Sequence, residues 1–365
     1  MTPLNIFGEL GRDVIGQESI LRYVSVAIFK HLQGELFGNL LLIGNSGTGK
    51  TTIMHSIERL YASQDELEKY RNVVIINANV LADEEGNVDT TPLLARLEER
   101  AQRILGSGAA ADDIASLMEN ATVCIDEVDK ISGLVGGKPY VTGINIQQAL
   151  LTLIEGEKIL YPITTTPGGK GRRESRTIDS SKMLFLCAGA FETLYEQVFA
   201  RVTSPRSGIK LPKTTVYEDG RVKIREHFTL LDHFRLEDLF DFGMHPQFLS
   251  RFDNSIILDD LSTETLQKIF LDTRDSVFQT SREFFKKYSI ELEITQQAAR
   301  RIAREAAQNR RIGARALKTV YSQIIKPFEF DPYSRSEVVK NGDGYKLEID
   351  EELVRKGLLR SEEAV

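Results

Sequence analysis

The stretch Gly44-Asn45-Ser46-Gly47-Thr48-Gly49-Lys50-Thr51 constrains this chain more than any other. It follows the apolar run Leu40-Leu41-Leu42-Ile43 and precedes Thr52-Ile53-Met54-His55-Ser56-Ile57, which reads as a helix. Strand, glycine-rich loop and helix, in that order, make a sharp turn off a buried strand. The glycines let successive backbone N–H groups face one anion, and the helix N-terminus adds partial positive charge. Such a loop suits the phosphates of a nucleotide. Lys50 would reach the β- and γ-phosphates, and the Thr51 hydroxyl would hold Mg²⁺. The nucleotide-contacting residues of the motif are Asn45, Ser46, Gly47, Thr48, Gly49, Lys50, Thr51 and Thr52. A glycine-rich turn matching by chance is the alternative, and the flanking strand and helix weigh against it.

A second, independent signal lies downstream. Ala121-Thr122-Val123-Cys124-Ile125 is an apolar run that ends in Asp126-Glu127. Asp126, at the strand end, would orient Mg²⁺ beside Thr51, and Glu127 would act as general base on the water that attacks the γ-phosphate. Two solvated carboxylates at a strand end would look the same in isolation. Together with the phosphate loop they point to ATP hydrolysis.

Composition narrows the classes of partner. The chain has 365 residues, enough for two domains, with 41% apolar and 27% charged residues and a net charge of -7. That balance argues against a wholesale nucleic-acid or membrane-surface binder. No apolar run is long enough to span a membrane, and Met1-Thr2-Pro3-Leu4-Asn5 lacks a signal-peptide pattern, so a cytoplasmic location is expected. Cys124 and Cys187 each lie in an apolar strand-like run outside any CxxC pair and read as core.

The remaining periodicity predicts an α/β first domain over 1–258 and a smaller, mainly α-helical second domain over 259–365. Buried strands are expected at Asn72–Asn77, Met183–Phe191 and Asn254–Leu258. Helices are expected from Glu18 to about Leu32, from Thr91 to Leu105 with Pro92 in its first turn, and over Asn145–Gly156. Val14 and Ile15, ahead of the loop strand, are plain core or one wall of an adenine pocket. Pro162–Ser181 reads as a polar, exposed stretch whose centre, Gly168–Arg176, is locally positive; an ordinary hairpin tip is the other reading. About 193–239 looks like an irregular insertion. Ser262-Thr263-Glu264 opens the second domain with capping residues.

In this order the motifs resemble those of an AAA+ ATPase, with a parallel sheet flanked by helices followed by a small helical domain. The similarity is to the ClpX type among the Clp/HslU unfoldases. It rests on the phosphate loop, Ile125-Asp126-Glu127-Val128-Asp129-Lys130-Ile131, the helix from Gln147 to Gly156, Phe185–Phe191, Phe242–Arg251 and Ile312-Gly313-Ala314-Arg315-Ala316-Leu317. The resemblance implies that Val14 and Ile15 flank adenine. It also implies that Arg251 is an arginine finger reaching a neighbouring subunit's ATP, and that Arg315 is the sensor-2 arginine. The cofactors are then ATP and Mg²⁺, and an arginine acting in trans implies a homo-oligomeric, hexameric ring.

The chain also departs from the family. It starts at the AAA+ module, so capture through the family's zinc-binding N-terminal domain is not expected. Ser207-Gly208-Ile209-Lys210-Leu211 replaces the Ile-Gly-Phe tripeptide that docks a ClpP-type peptidase. Glu84-Glu85-Gly86-Asn87-Val88-Asp89 replaces the aromatic Gly-Tyr-Val-Gly pore loop, and Cys187-Ala188-Gly189 offers no sensor-1 Asn or Thr. The expectation is an ATP-dependent protein-remodelling or unfolding ring acting on a protein client without a ClpP-type peptidase. The alternative is an ATP-switched assembly or partner-binding module that threads nothing. A nucleic-acid motor using Lys170–Arg176 is the third reading.

Overall fold

The computed structural model describes residues 1–35, 38–106, 108–165, 172–218, 221–226, 228–308 and 312–362. In chain order its strands are β1 (Asn39–Ile43), β2 (Val73–Asn77), β3 (Thr122–Asp126), β4 (Leu134–Val135), β5 (Lys138–Pro139), β6 (Lys158–Thr165), β7 (Arg172–Asp179), β8 (Leu184–Gly189), β9 (Lys213–Glu218), β10 (Arg221–Glu226), β11 (Phe252–Ile257), β12 (Ile290–Ile294), β13 (Val338–Asn341) and β14 (Gly344–Ile349). The described residues divide into two compact units. One comprises 1–6, 22–44 and 57–257; the other comprises 7–21, 45–56 and 258–365.

The first unit is built on a five-stranded sheet in the order β11-β1-β8-β3-β2, with every neighbouring pair parallel. β1, β3 and β8 are continuous apolar runs, as strands covered on both faces must be. β8 lies between the other two: Leu40 pairs with Leu186, and Leu186 pairs with Cys124. Because these strands run the same way, Gly44 and Asp126 leave the sheet at its carboxyl edge, where open α/β sheets place ligands. Cys124 and Cys187 are fully buried thiols whose pKa burial pushes up, so both stay protonated core residues.

The helix Thr91–Leu105 packs Leu93, Leu94, Leu97 and Ala101 into the core and carries Pro92 in its first turn. The helix Val141–Ile154 begins earlier than expected and ends where Gly156 turns with φ +90.

Of the two readings of 162–181 the hairpin is the one found, and 193–239 is more ordered than the irregular insertion expected. The polar stretch 162–181 is largely an ordered antiparallel hairpin, β6 with β7, paired from Lys158↔Asp179 to Thr165↔Arg172. Its Gly168–Gly171 centre lies outside the described residues. The segment 193–239 contains a helix, Leu194–Thr203, that buries Leu194, Val198 and Val202 at four-residue spacing. It also contains the two-stranded ribbon β9–β10, with Lys213↔Glu226 and Arg221↔Glu218 at its ends. The residue Gly220 lies outside the described residues.

In the second unit, helices Thr263–Asp272, Val277–Lys286, Gln296–Ala307 and Arg315–Phe330 bury Phe270, Phe285, Ile302 and Tyr321. The same unit holds a three-stranded sheet of order β12-β14-β13, with Leu347 and Ile349 in the core. Ser262, Ser276 and Thr295 each cap a helix by accepting a backbone N–H three residues on. Among the described residues no helix is long and apolar enough to cross a membrane.

Candidate functional site

The phosphate loop and Arg315 belong to the second unit. Gly47 and Gly49 hold φ values of +74 and +106, conformations that only glycine adopts at no steric cost, so the loop can curl ahead of the helix Lys50–Ser63. The buried Lys50 donates from Nζ to the Asn45 carbonyl at 2.9 Å, and the Thr48 hydroxyl donates to the same oxygen at 2.9 Å. Thr51 is half-buried and Thr52 exposed on the first turn of that helix. Val14 is buried against the loop: a Cβ on Gly49 would stand 3.8 Å from Val14 Cγ1. Ile15 is half-buried beside it in sequence.

Neighbouring segments of the same unit fix the loop. Gln17, 1% exposed, donates to the Thr48 carbonyl at 3.1 Å and the Asp259 carbonyl at 2.9 Å, and accepts the Asp259 N–H at 3.3 Å. Asn45 donates to Asp260 Oδ1 at 2.9 Å. The Ala314 N–H donates to the Gly47 carbonyl at 3.0 Å, and Arg315 Nη1 donates to Ser46 Oγ at 2.7 Å. The second unit thus gathers Val14, the loop and Arg315 from three distant stretches of sequence.

Asp126 and Glu127 end β3 in the first unit. Glu127 is exposed and has φ 59 and ψ 35, a left-handed backbone that costs a side-chain-bearing residue energy. Asp126 Oδ1 accepts the Glu127 N–H at 2.9 Å and so holds that turn. Two residues on, the buried Asp129 accepts the Ala190 N–H at 3.1 Å and pairs with Lys130 at 3.3 Å, which raises the Lys130 pKa. Asp129 and Phe191 also crowd the end of β8. A Cβ on Gly189 would fall 2.5 Å from the Phe191 ring and 2.8 Å from Asp129 Oδ1, so no larger residue fits there.

Sequence reasoning missed Asp129 as a fixing residue, and it missed Gln147 as well. Gln147 is 1% exposed, donates to the Ile131 carbonyl at 2.8 Å and accepts the His245 N–H at 2.7 Å. It therefore ties the turn after Glu127 to the segment that leads into Arg251. A lone glutamine on an apolar helix face was the available signal. Arg251 itself forms an ion pair with Glu155, both side chains being about half exposed.

The acidic stretch Glu84–Asp89 includes a closed turn that starts at Asp83. Asp83 Oδ1 accepts the Glu85 and Asn87 N–H groups at 2.9 and 2.8 Å, and Oδ2 accepts the Asn87 side-chain amide at 2.9 Å. These bonds, the Asn87 amide first, lower the Asp83 pKa. At the β6–β7 hairpin, buried Glu98 accepts the Tyr161 hydroxyl at 2.9 Å and the Thr164 N–H at 2.6 Å, anchoring β6 to the helix Thr91–Leu105. Arg176 pairs with Asp112 and Glu174, so the positive charge expected there is partly neutralised.

The second unit holds an anion-cradling loop, and the first holds a carboxylate pair at the edge of a parallel sheet. Comparison with known proteins agrees with both features. The model of the AAA domain (Cdc48 subfamily) matches residues 35–255. The ATP-dependent Clp protease ATP-binding subunit ClpX 3 of Methylococcus capsulatus is 30% identical over 361 residues, covering 92% of this chain and 78% of that protein. ClpX of Azotobacter vinelandii is 27% identical over 361 residues, covering 92% of this chain and 76% of that protein. ClpX of Borrelia duttonii is 28% identical over 360 residues, covering 93% and 76% respectively. The chain belongs to the AAA family of ATP-binding, ATP-hydrolysing domains, as a homologue of ClpX.

Proposed function

We propose that the chain is an ATP-driven protein-remodelling ring, hexameric, working on a protein client without a ClpP-type peptidase. The observation that carries this reading is the 361-residue alignment with ClpX, which runs on through the C-terminal helices instead of stopping at the nucleotide domain. Lys50 and the loop N–H groups hold the phosphates of ATP, with Val14 and Ile15 against adenine. The Thr51 hydroxyl and the Asp126 carboxylate are hard oxygen donors, the kind that fit Mg²⁺. When bound, that ion neutralises phosphate charge. Glu127 takes the proton of the attacking water. Arg251 of a neighbouring copy stabilises charge on the γ-phosphate, and Arg315 links the loop to the C-terminal helices. Ser207-Gly208-Ile209-Lys210-Leu211, in place of an Ile-Gly-Phe tripeptide, supports work without that peptidase.

A second reading is an ATP-switched module that binds one partner and threads nothing. The closed Asp83–Asn87 turn favours it, because it presents no bulky side chain to grip an arbitrary chain. One experiment separates the two. With ATP and a destabilised fluorescent reporter carrying an unstructured tail, a remodeller lowers the fluorescence, and the Glu127→Gln variant does not. If ATP is hydrolysed and rings form but the reporter stays folded, the switch reading holds. Retention of nucleic acid in place of protein, weakening steeply with salt, would overturn both.

A further inference from the structure

A phosphate loop of this pattern needs its glycines, its lysine and its threonine for the anion and the metal; the intervening positions offer the nucleotide their backbone N–H groups, which leaves their side-chain type unspecified. Here Asn45 and Ser46 both turn their side chains onto segments from the far end of the sequence. Asn45 grips Asp260, and Ser46 accepts the Arg315 guanidinium at 2.7 Å. Arg315 is the first residue of the helix Arg315–Phe330.

The backbones beneath this contact touch directly. A Cβ on Gly47 would stand 2.2 Å from the Ile312 carbonyl oxygen, and one on Gly313 would stand 2.7 Å from the Ser46 carbonyl oxygen. Gly313 also has φ +55, which glycine adopts freely. The Ala314 N–H closes the arrangement on the Gly47 carbonyl. Two glycines, one in each segment, therefore bring the start of the helix against the loop. The hydroxyl of Ser46 then meets the first side chain that the helix offers. A guanidinium carries five N–H donors in a fixed plane, so one bond to Ser46 orients the fork and leaves donors for a phosphate.

We propose that Ser46 is a positioning residue. Its hydroxyl sets where the Arg315 guanidinium rests, so that occupancy of the phosphate loop and the position of the helix Arg315–Phe330 are linked through one side-chain contact. Asn45, through Asp260, makes a second grip. The linkage is reciprocal: whatever moves the helix changes the affinity of the loop for ATP by the same factor that ATP changes the helix equilibrium. The proposal rests on the reading of Arg315 given above.

The test is ATP turnover against ATP concentration for the full chain and for Ser46→Ala, Ser46→Thr, Arg315→Ala and the Ser46→Ala/Arg315→Ala pair, each with its thermal midpoint. Loss of a charge-assisted bond at a reacting centre predicts a fall in kcat/KM of about tenfold for Ser46→Ala. Ser46→Thr, which keeps the hydroxyl, should stay within about twofold of the parent. In the Arg315→Ala background, removing Ser46 should cost less than about twofold more, because its partner is gone. Equal losses in both backgrounds, or no loss in the parent, would overturn the proposal while leaving Arg315 in its role. If Arg315→Ala alone changes nothing, the reading of Arg315 fails and the proposal fails with it. Should Ser46→Ala melt early, Ser46→Cys decides: it is close in size, but its thiol is only a weak acceptor. The same loss, absent in the Arg315→Ala background, supports the proposal; full activity in that variant would overturn it.

Discussion

Arg251 and Glu155 form an ion pair within a single chain, with side chains 46% and 42% exposed. An arginine that serves a neighbour's ATP must let go of such a partner. At this exposure the pair is worth only about 0–1 kcal/mol, because water screens it and both side chains lose freedom. Release is therefore a small cost compared with meeting the charge of a transferring phosphoryl group. Glu155→Gln should leave ATP turnover unchanged or raise it up to about twofold, whereas Arg251→Ala should lower it by about 10³ at saturating protein. Steady-state phosphate release across a range of protein concentrations measures both. Equal losses in the two variants would make the pair structural and remove Arg251 from the neighbour's site.

Glu127 sits in a left-handed conformation, φ 59, that its own neighbour Asp126 holds. Strain of this kind costs about 1–3 kcal/mol and persists where a side chain must be aimed. Glu127→Gln keeps the backbone and the size of the side chain but cannot take a proton. It should bind ATP as tightly as the parent and lose about 10²–10⁴ in turnover. Fluorescent-nucleotide titration and phosphate release separate the two effects. Near-normal turnover would assign the base elsewhere.

The Asp83–Asn87 turn is fixed by side-chain and backbone bonds to one carboxylate. Asn87→Tyr removes the amide that bonds Asp83 Oδ2 and adds a large grip. In a threading ring, ATP turnover stimulated by an unstructured polypeptide tail should rise about twofold or more in this variant. Asp83→Ala, which frees the turn without adding a grip, should leave that stimulation unchanged. A response to Asp83→Ala equal to that of Asn87→Tyr would mean that loosening alone is what counts.

What could be read from residues alone followed the locality of the physics. The phosphate loop was legible because only glycine tolerates its backbone, so identity and geometry coincide at Gly47 and Gly49. Thr122–Asp126 was legible because a strand buried on both faces has to be a continuous apolar run. Asp129 and Gln147 were not, since they bond backbone atoms 61 and 98 residues away, and no local pattern encodes such a partner. The hairpin β6–β7 was only one of two readings, for another reason. It is solvent-exposed along much of β7, where Arg172, Arg173, Ser175 and Arg176 dilute the alternation that marks a strand. The left-handed turn at Glu127 has no sequence signature, because nothing about a glutamate announces positive φ.

His31 supplies a prediction about stability. It is 2% exposed, its ring lies edge-on to Tyr70 at 5.1 Å between centroids, and its Nε2–H donates to the Lys182 carbonyl at 3.0 Å. Burial first, with the nearby Lys69 charge also acting, lowers its pKa to about 4 from an ordinary 6.5, against the opposing effect of the carbonyl. The folded state therefore binds fewer protons here than the unfolded chain between those two values. Stability from this group is fully present above pH 6.5 and is lost as pH falls towards 4. The shift corresponds to about 3 kcal/mol over that window. Carboxylates titrate in the same range, so the parent must be compared with His31→Phe, which keeps a ring against Tyr70 and has nothing to protonate. Urea unfolding at intervals from pH 7 to pH 4 should show the variant less stable at neutral pH, through loss of the Lys182 bond, but flatter towards acid, with the two curves converging. Parallel curves would mean that His31 is protonated in the folded protein as readily as in the unfolded chain.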